Sequence, residues 1–393
     1  MPNMSAFSRR LVAIGAAAGL IGAFLGVAQS GAKPCPTQCA SGKIPLGIVA
    51  PTSGQLAASA FGAQSVKPVE IGIRDLNAAG GLIGIPVELT VADDQCDPGR
   101  AINVANRQVE QDKINFVIGP TCPDSAKAAA PIYTKASVVQ FLPTVTVTMV
   151  GVMRPNPDNI FSLLATDEQE AQALGAYLAR EQKGKKLTVV YTDAFYRRGI
   201  IEIVKSALPA EMKASARFEP LLDITGIYDR LADKLQREPP DVIYMALDHA
   251  PLVELLSKLR KRAVKALLIG GQRMLSYNFW LEARSAAEGI HIIAPIGSPT
   301  TPELRKTVDL LRGAGVIPDL VALNSYSTVQ VWTEAVRRAG GGDPRKVIKA
   351  LRSGEFQTAV GPVTFDQLGN RRDMRFSVLT WQDGRPRRIE GRQ

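Results

Sequence analysis

Short apolar runs alternate with amphipathic stretches of helical length from residue 44 onward, and this alternation constrains the fold more than any other feature. The runs are mostly apolar along their whole length, which is typical of parallel strands covered on both faces of a sheet. Strands that alternate with helices in this way predict parallel sheets flanked by helices. The runs are IPLGIVA (44–50), VELTVAD (87–93), NFVIGP (115–120), VVQFLPT (138–144), LTVVYTD (187–193), DVIYMAL (241–247) and ALLIGG (266–271).

These runs fall into two series, and the second series begins near residue 166. Thr166 and Gln169 form a capping-box pattern, which predicts a helix start. Asp97 followed by Pro98 predicts another, because aspartate caps free N–H groups and proline needs no N–H at the first helical position. We therefore predict an α/β fold with two doubly wound parallel-sheet units.

The N-terminal segment has the pattern of an export signal. Arg9 and Arg10 precede an uncharged run from 12 to 28 that is rich in small residues. An uncleaved anchor helix is the alternative, but this run is shorter than the about 20 residues that a membrane span prefers. We expect residues 1–32 to be a signal peptide that is cleaved on export, leaving a soluble mature chain.

Two of the four cysteines, Cys96 and Cys122, each follow a predicted strand. In the oxidising compartment that the export signal indicates, such a pair is expected to form a disulfide. A metal site is the alternative, but the chain has only two histidines, and neither is near these cysteines in sequence. We expect the disulfide and no metal. The pairing of Cys35 with Cys39 stays open, since these thiols could close a small loop or remain free or intermolecular.

The formal net charge is +10 at pH 7, and the basic residues concentrate in three segments. No aromatic residues are interleaved with these charges, and no nucleic-acid-binding motif is present. The segments fit solvated faces and a C-terminal tail, so we expect no nucleic-acid partner. They are KLRKRAVK (258–265), NRRDMR (370–375) and RPRRIEGR (385–392).

No familiar catalytic motif is present in the sequence. It lacks the G-x-S-x-G elbow, the H-E-x-x-H zinc helix and the G-x-x-x-x-G-K phosphate loop. Asp93 and Asp94 could in principle perform acid–base chemistry, but their place at the end of a predicted strand favours a turn. We expect a protein without enzyme activity or cofactor, with an exported enzyme on the same α/β scaffold as the alternative.

Five stretches, taken in order, resemble the solute-binding proteins of branched-chain amino acid ABC transporters. The resemblance runs from Ile44 to the C-terminus and implies the type I periplasmic binding protein fold, in which two α/β lobes joined by three hinge crossings close over a ligand. The family pattern also includes a disulfide that matches Cys96 and Cys122. The stretches are GIVAPTSGQLA (47–57), DLNAAGGLIGIPVELTVADDQCDP (75–98), FVIGPTC (116–122), FLPTVT (141–146) and VGPVTFDQLGN (360–370).

The resemblance also implies a domain division and a function. The N-terminal lobe is expected to comprise 43–163 plus 298–358, and the C-terminal lobe 164–297 plus 359–393. The implied function is that of a monomeric periplasmic receptor, which delivers a small organic ligand to the permease subunits of an ABC importer in the inner membrane. A receptor that reports the ligand to a sensor partner is a further alternative.

Ligand contacts are expected in loops beyond the carboxyl ends of the strands, where N–H groups converge. In the family, the position of Thr146 offers its hydroxyl to the ligand carboxylate, and Tyr196 matches an aromatic that covers the ligand. Phe61 fits the aromatic of the first glycine-rich loop; core packing is the alternative for both aromatics. The full set of expected ligand-binding residues is Phe61, Asp124, Ser125, Thr144, Thr146, Tyr196, Asp248 and Gln272.

Two positions depart from the amino-acid-binding members of the family. Pro123 stands where they have a serine, and Gln272 stands where they have the glutamate that pairs with the ligand ammonium. Asp248 could supply that charge instead, or could cap the helix that follows it. Arg197 and Arg273 could pair with a carboxylate. The sequence therefore predicts a ligand with a carboxylate or amide and an apolar or aromatic body, rather than leucine itself.

Overall fold

A computed structural model describes residues 42–151, 158–192, 195–222, 224–247, 249–295, 301–372 and 374–389, apart from the side chains of 195–200 and 277–278. The expected signal peptide and the Cys35–Cys39 pair lie outside the described residues. Within the described ranges, none of the helices combines the length and the apolar character that crossing a membrane requires.

The first sheet contains five strands, all parallel: β1 Ile44–Ala50, β2 Val87–Asp93, β3 Phe116–Ile118, β4 Val139–Leu142 and β5 Ile160–Ser162. Their spatial order is β2-β1-β3-β4-β5. The helices between them are α1 Ala63–Ala78, α2 Pro98–Glu110, α3 Pro123–Lys135 and α4 Val147–Val150.

The second sheet has seven strands. Five are parallel: β6 Leu187–Thr192, β7 Arg217–Leu221, β8 Val242–Ala246, β9 Leu267–Gly270 and β10 His291–Ala294. The intervening helices are α5 Asp167–Glu181, α6 Phe195–Ala207, α7 Ala210–Ser215, α8 Ile227–Arg237, α9 His249–Lys261 and α10 Tyr277–Ala283, with 3₁₀ helices at Gln272–Leu275 and Arg284–Ala287.

The last quarter of the chain returns to the first sheet and then joins the second sheet. Helices α11 Pro302–Gly313, α12 Leu320–Ala339 and α13 Pro344–Ser353 precede the hairpin of β11 Phe356–Thr358 and β12 Gly361–Val363. Val363 and Phe365 still pack in the core of the first sheet. Two antiparallel strands, β13 Ser377–Gln382 and β14 Arg385–Arg388, then complete the second sheet in the order β14-β13-β10-β9-β8-β6-β7.

The chain thus passes between the two sheets three times: after β5, after β10 and after β12. This confirms the predicted class of two doubly wound lobes with three crossings. One expectation was wrong, because 385–388 form the edge strand β14 rather than a tail. All four residues of β14 are exposed, so the strand has no apolar signal.

The apolar strand runs are explained by burial on both faces of the sheet. In β1, Ile48 packs in a core that includes Trp332 of α12, whereas the next residue, Val49, packs in a core that includes Tyr133 of α3. All four side chains are essentially inaccessible to solvent. Because successive side chains point to opposite faces, a strand covered on both sides must be apolar throughout.

Both predicted helix starts are confirmed. The Asp97 side chain accepts a hydrogen bond of 2.8 Å from the Arg100 N–H, and Pro98 is the first residue of α2. At α5, the Thr166 hydroxyl accepts from the Gln169 N–H at 3.2 Å, and the Gln169 side chain accepts from the Thr166 N–H at 2.9 Å. Such caps contribute about 1 kcal/mol each and set the residue at which the helix begins.

Candidate functional site

A disulfide joins two loops at the carboxyl edge of the first sheet. Cys96 lies just after β2, and Cys122 is the N-terminal cap of α3; their Cα atoms are 5.4 Å apart. The predicted Cys96–Cys122 pairing is therefore confirmed. Pro123 follows as the first residue of α3, where the missing N–H costs nothing. Strands β2 and β3 lie on either side of β1 in the sheet, so the disulfide links the loops that follow the two neighbours of β1.

Asp93 joins the loop after β1 to its own loop after β2 at this edge. Its carboxylate accepts hydrogen bonds from the Ser53 hydroxyl at 2.5 Å, the Thr52 N–H at 2.9 Å and the Gln95 N–H at 3.1 Å. Burial opposes ionisation, but these hydrogen bonds together hold the pKa of Asp93 below its usual value. Asp93 is therefore a structural anchor of the turn.

Asp94 and Ser125 lie beneath the disulfide, and both are fully buried. One Asp94 oxygen accepts from the Cys96 N–H at 3.2 Å, and the Ser125 hydroxyl lies beside the carboxylate. Burial raises the pKa of Asp94, and the Ser125 hydroxyl and Cys96 N–H oppose this rise. Ser125, an expected ligand contact, is thus placed next to a buried carboxylate. Its neighbour Asp124 is exposed in the first turn of α3.

A chain of hydrogen bonds connects the loops that follow β1, β3 and β4. The Thr144 hydroxyl donates to the Thr121 carbonyl oxygen at 2.6 Å, and the Thr121 hydroxyl donates to the Phe61 carbonyl oxygen at 2.6 Å. Phe61 and Thr144 are both partly accessible. The structure therefore brings these two expected site residues to one edge of the first sheet.

Thr146 caps the short helix α4 at the same edge. Its hydroxyl oxygen accepts a hydrogen bond from the Met149 N–H at 3.2 Å, and the residue is 2% exposed. A hydroxyl that accepts one hydrogen bond still has its own hydrogen to donate. Thr146 can therefore hold a fixed orientation and offer an O–H to a carboxylate.

The expected residues of the second lobe are described only in part. Tyr196 lies in α6, but its side chain is outside the described residues, as is that of Arg197. Asp248 lies wholly outside them. Arg273 is exposed in the 3₁₀ helix after β9.

Gln272 is the best-defined of these second-lobe residues. It begins the 3₁₀ helix after β9 and is 8% exposed. Its Nε2 donates to the Ala165 carbonyl oxygen at 3.2 Å, while its Oε1 is buried without a hydrogen-bond partner. Its backbone N–H donates to Glu170 Oε2 at 3.1 Å.

Glu170 contacts the same segment, and the sequence analysis did not identify it. It lies in the first turn of α5 and also accepts a hydrogen bond from the Tyr244 hydroxyl at 3.3 Å. Burial raises the pKa of Glu170 to about 7; nearby Asp167 adds to the rise, whereas the Gln272 N–H, Arg273 and Tyr244 oppose it. A Cβ atom at Gly271 would meet the Glu170 carboxylate and push it aside, so glycine lets this carboxylate approach the segment after β9 closely.

A small cavity of about 30 Å³ opens between these groups. It is lined by the first turn of α5, the carboxyl end of β8 and the segment after β9. Its polar lining residues are Asp167, Glu170, Tyr244, Gln272 and Arg273.

The two histidines lie in other surroundings. His291 Nδ1 is 2.7 Å from the Tyr177 hydroxyl, and burial lowers the pKa of His291. His249 Nε2 is 3.0 Å from a carboxylate oxygen of Glu282. Among the described residues, no group of histidine, cysteine, aspartate or glutamate has the arrangement needed to hold a metal ion.

Curated relatives are similar to this chain over most of its length. The Leu/Ile/Val-binding protein homolog 3 of Brucella melitensis is 26% identical over 347 residues, covering 87% of this chain and 92% of that protein. The leucine-, isoleucine-, valine-, threonine- and alanine-binding protein of Pseudomonas aeruginosa is 27% identical over 346 residues, with coverages of 87% and 91%.

Solved structures share the fold. The branched-chain amino acid transporter substrate-binding protein of Streptococcus pneumoniae, in complex with isoleucine, superposes with a TM-score of 0.76 at 20% identity, covering 88% of this chain and 97% of that one. An ABC transporter solute-binding protein of R. palustris, in complex with benzoate, gives a TM-score of 0.74 at 17% identity, covering 88% and 96%. The sequence profile described as periplasmic binding protein matches residues 43–386. The chain therefore belongs to the periplasmic binding protein family.

Proposed function

We propose that this protein is a periplasmic receptor that binds a small organic solute and delivers it to the permease of an ABC importer. The observation that carries this proposal is the pair of parallel sheets in one chain, joined by three crossings. Ligands of open parallel sheets bind beyond the carboxyl ends of the strands. Relatives named for leucine, isoleucine and valine binding, and fold neighbours holding isoleucine or benzoate, support an amino acid or a related carboxylate as the ligand.

The proposed first-lobe half of the site uses the loops after β1, β3 and β4. Thr144 and Thr146 supply hydroxyl groups there, and Phe61 supplies an aromatic surface. The hydroxyl of Thr146 is held by the Met149 N–H and retains its hydrogen for a carboxylate oxygen. The Thr144 hydroxyl, which donates to the Thr121 carbonyl oxygen, keeps lone pairs that can accept from a ligand. Asp124 at the exposed start of α3 and Ser125 behind it remain proposed members of the site.

The proposed second-lobe half uses Tyr196, Asp248 and Gln272. Tyr196 would cover the apolar body of the ligand, as the matching aromatic does in the family. Gln272 is the only one of these three whose side chain is described, and it lines the small cavity at the end of β8 and β9.

The two lobes are proposed to close on the ligand about the three crossings. We take the first lobe as 43–163 plus 298 to about 365, since Val363 and Phe365 pack in the first core, and the second as 164–297 plus the remaining C-terminal residues. Several crossings near one another restrict the relative motion of two lobes to a hinge. We propose that the receptor works as a monomer and binds its ligand without chemical turnover.

The expected signal peptide and the disulfide support the proposal that this protein is exported. A basic start, an apolar run and small residues within 1–32 are the features of a cleaved signal peptide. The Cys96–Cys122 disulfide is stable in an oxidising compartment such as the periplasm. We propose that the mature protein begins after about residue 32.

A thermal-shift screen on the purified mature protein tests the proposal. The panel contains single amino acids, amides, urea and aromatic and aliphatic carboxylates, and each hit is followed by calorimetry. We expect one chemical class to raise the melting temperature and to bind with one-to-one stoichiometry, and to be recovered unchanged by mass spectrometry. Failure of every class to bind, or conversion of the bound ligand, would contradict the proposed function.

A further inference from the structure

Two residues of the crossings hold the peptide groups on either side of Thr146. The Ser162 hydroxyl donates to the Val145 carbonyl oxygen at 2.8 Å, and the Val147 N–H donates to the Asn370 side-chain oxygen Oδ1 at 3.2 Å. Ser162 is the last residue of β5, directly before the first crossing, and Asn370 lies after β12, in the third crossing. Residues from two crossings therefore meet at the loop after β4.

Both of these hydrogen bonds are shielded from water. Ser162 is inaccessible to solvent, and Asn370 is 2% exposed. The orientation of the Asn370 amide is set by the Val147 N–H, which can only donate and therefore faces the oxygen. Breaking a buried hydrogen bond leaves a polar group without a partner, which costs more than losing an exposed one. Both contacts therefore restrain the loop firmly.

The two contacts fix the backbone of Thr146. Because peptide groups are planar, a residue has only two soft backbone dihedral angles, φ and ψ. The Val145 carbonyl belongs to the peptide group before Thr146, and the Val147 N–H belongs to the one after it, so both planes are held. Thr146 has φ −82° and ψ 156°. The Met149 N–H then holds the hydroxyl itself, so three hydrogen bonds determine where this O–H points.

The two crossings are also bonded to each other at this point. The Ser162 N–H donates to the Gly369 carbonyl oxygen at 2.9 Å, and the Arg371 N–H donates to the Ser162 carbonyl oxygen at 3.0 Å. Ser162 and Asn370 thereby form a parallel bridge. A shift in either crossing would therefore move both side chains that hold the backbone of Thr146.

We propose that Ser162 and Asn370 are positioning residues for the ligand, which fix the Thr146 hydroxyl in its binding orientation and connect it to two of the crossings. The inference rests on the proposed function, in which Thr146 donates to the ligand. Neither side chain needs to touch the ligand, because both act through the loop on which Thr146 lies. A binding group that its surroundings already hold in place loses less freedom on binding than a mobile one, and so binds more tightly.

Two variants and one matched control test this assignment. Ser162→Ala and Asn370→Ala each remove one of the two contacts. Thr358→Val is the control, because the buried Thr358 hydroxyl donates to the Gly361 carbonyl oxygen at 2.7 Å within the β11–β12 hairpin. The control thus loses a hydrogen bond of the same kind outside the loop after β4. Calorimetry uses isoleucine and benzoate, which the fold neighbours hold, as probes. If neither binds, the panel member with the largest thermal shift replaces them.

We expect Ser162→Ala and Asn370→Ala each to weaken the probe by about 10-fold, and Thr358→Val by less than about threefold. The decisive measurement combines Asn370→Ala with Thr146→Val. Since Asn370 acts through the Thr146 hydroxyl, this double variant should bind less than about twofold more weakly than Thr146→Val alone. A purely structural role would give the same 10-fold loss in both backgrounds and would overturn the proposal.

Amide exchange gives a second readout that needs no ligand. The Met149 N–H is held by the Thr146 hydroxyl, so its exchange rate reports whether that hydroxyl keeps its place. Followed by NMR, this rate should rise by about 10-fold in Ser162→Ala and Asn370→Ala and stay unchanged in Thr358→Val. Equal protection in all three variants would overturn the proposal. Circular dichroism checks folding, and Ser162→Ala, which removes only one oxygen, replaces Asn370→Ala in the double variant if the latter does not fold.

The remaining outcomes separate this inference from the proposed function. If Thr146→Val binds the probe as the wild type does, Thr146 is not in the site and the inference is wrong, although the protein is still a solute receptor. Wild-type affinity in both Ser162→Ala and Asn370→Ala would also overturn the inference and leave the proposed function intact. If no member of the panel binds the wild-type protein, the proposed function itself is contradicted, and this inference with it.

Discussion

The backbone N–H of Gln272 lies 3.1 Å from Oε2 of Glu170, although 102 residues separate the two in sequence. The Gln272 side chain makes a second contact with the same region through the Ala165 carbonyl oxygen. Ala165 and Glu170 flank the start of α5, which directly follows the first crossing between the sheets. The segment after β9 is therefore hydrogen-bonded to the residues that follow the first crossing.

The pH dependence of stability provides a test that needs no ligand. Burial raises the pKa of Glu170 from 4.5 to about 7, so the folded state favours the protonated acid and loses stability as pH rises from about 4.5 to about 7. Because the side chain is partly accessible, we expect Glu170→Gln to raise the free energy of unfolding at pH 8 by about 1–3 kcal/mol. At pH 4 the variant and the wild type should be equal. Urea unfolding at both pH values checks this, and equal stabilities at pH 8 would contradict it.

The Thr146 hydroxyl should matter both for α4 and for the ligand. We expect Thr146→Val to lose about 1 kcal/mol of stability with the cap on Met149 and to weaken a carboxylate ligand by about 10- to 100-fold. Thr146→Ser keeps the hydroxyl and should retain both properties. Calorimetry and urea unfolding of the two variants decide this. Wild-type affinity in Thr146→Val would remove Thr146 from the site.

The Cys96–Cys122 disulfide should stabilise the first lobe. It closes a segment of 26 residues, for which the loss of unfolded-state entropy contributes about 3–4 kcal/mol. The double variant Cys96→Ser with Cys122→Ser should unfold at correspondingly lower urea concentration, and a reductant should not destabilise it further by a comparable amount. Peptide mapping of the oxidised wild-type protein should recover the two cysteines as one linked pair. Recovery of both as free thiols would contradict the pairing.

A side chain at Gly271 should displace the Glu170 carboxylate. A Cβ atom there meets only the end of that flexible side chain, so Gly271→Ala should break its hydrogen bond with the Gln272 N–H, at a cost of about 1 kcal/mol. Gly313→Ala in α11 is the control, because a Cβ atom there has nothing within 4 Å. Thermal unfolding compares the two variants, and equal melting temperatures would show that the cavity adapts freely.

Closure of the lobes should be visible in solution. With saturating ligand, small-angle scattering should give a smaller radius of gyration than without it, because two lobes joined by three crossings close about a hinge. An unchanged radius in a protein with calorimetrically proven binding would count against hinge closure.

Several strands were predictable because burial on two faces forces a continuous apolar run, although the similarly buried β10 was missed. Strands β1, β3, β8 and β9 are of this kind, and each was recognised. Strand β7 was not, because its sequence RFEPL is half exposed and charged at the edge of the second sheet. Strand β5 has only three residues, which is too short to show a period. Edge and very short strands depend on the neighbours they pair with, and a single sequence does not contain that information.

The candidate site was predictable only where local chemistry marks it. Cys96 and Cys122 come after the ends of two strands, and Thr144 and Thr146 come after the end of a third. Because these strands are parallel, the sequence places all four residues at one edge of the sheet. No local sequence pattern identifies Glu170, since acidic residues are common in the first turn of a helix. Its role depends on contact with a segment 102 residues away, which only the tertiary structure provides.

Both outer strands of the second sheet contain a proline, Pro220 in β7 and Pro386 in β14. A proline presents no N–H to an approaching strand, and the charged residues around it, Arg217 and Glu219 on one edge and three arginines on the other, resist dehydration. Two copies meeting edge to edge would place like-charged arginines of β14 side by side. The second sheet is thereby protected against extension into intermolecular cross-β assemblies.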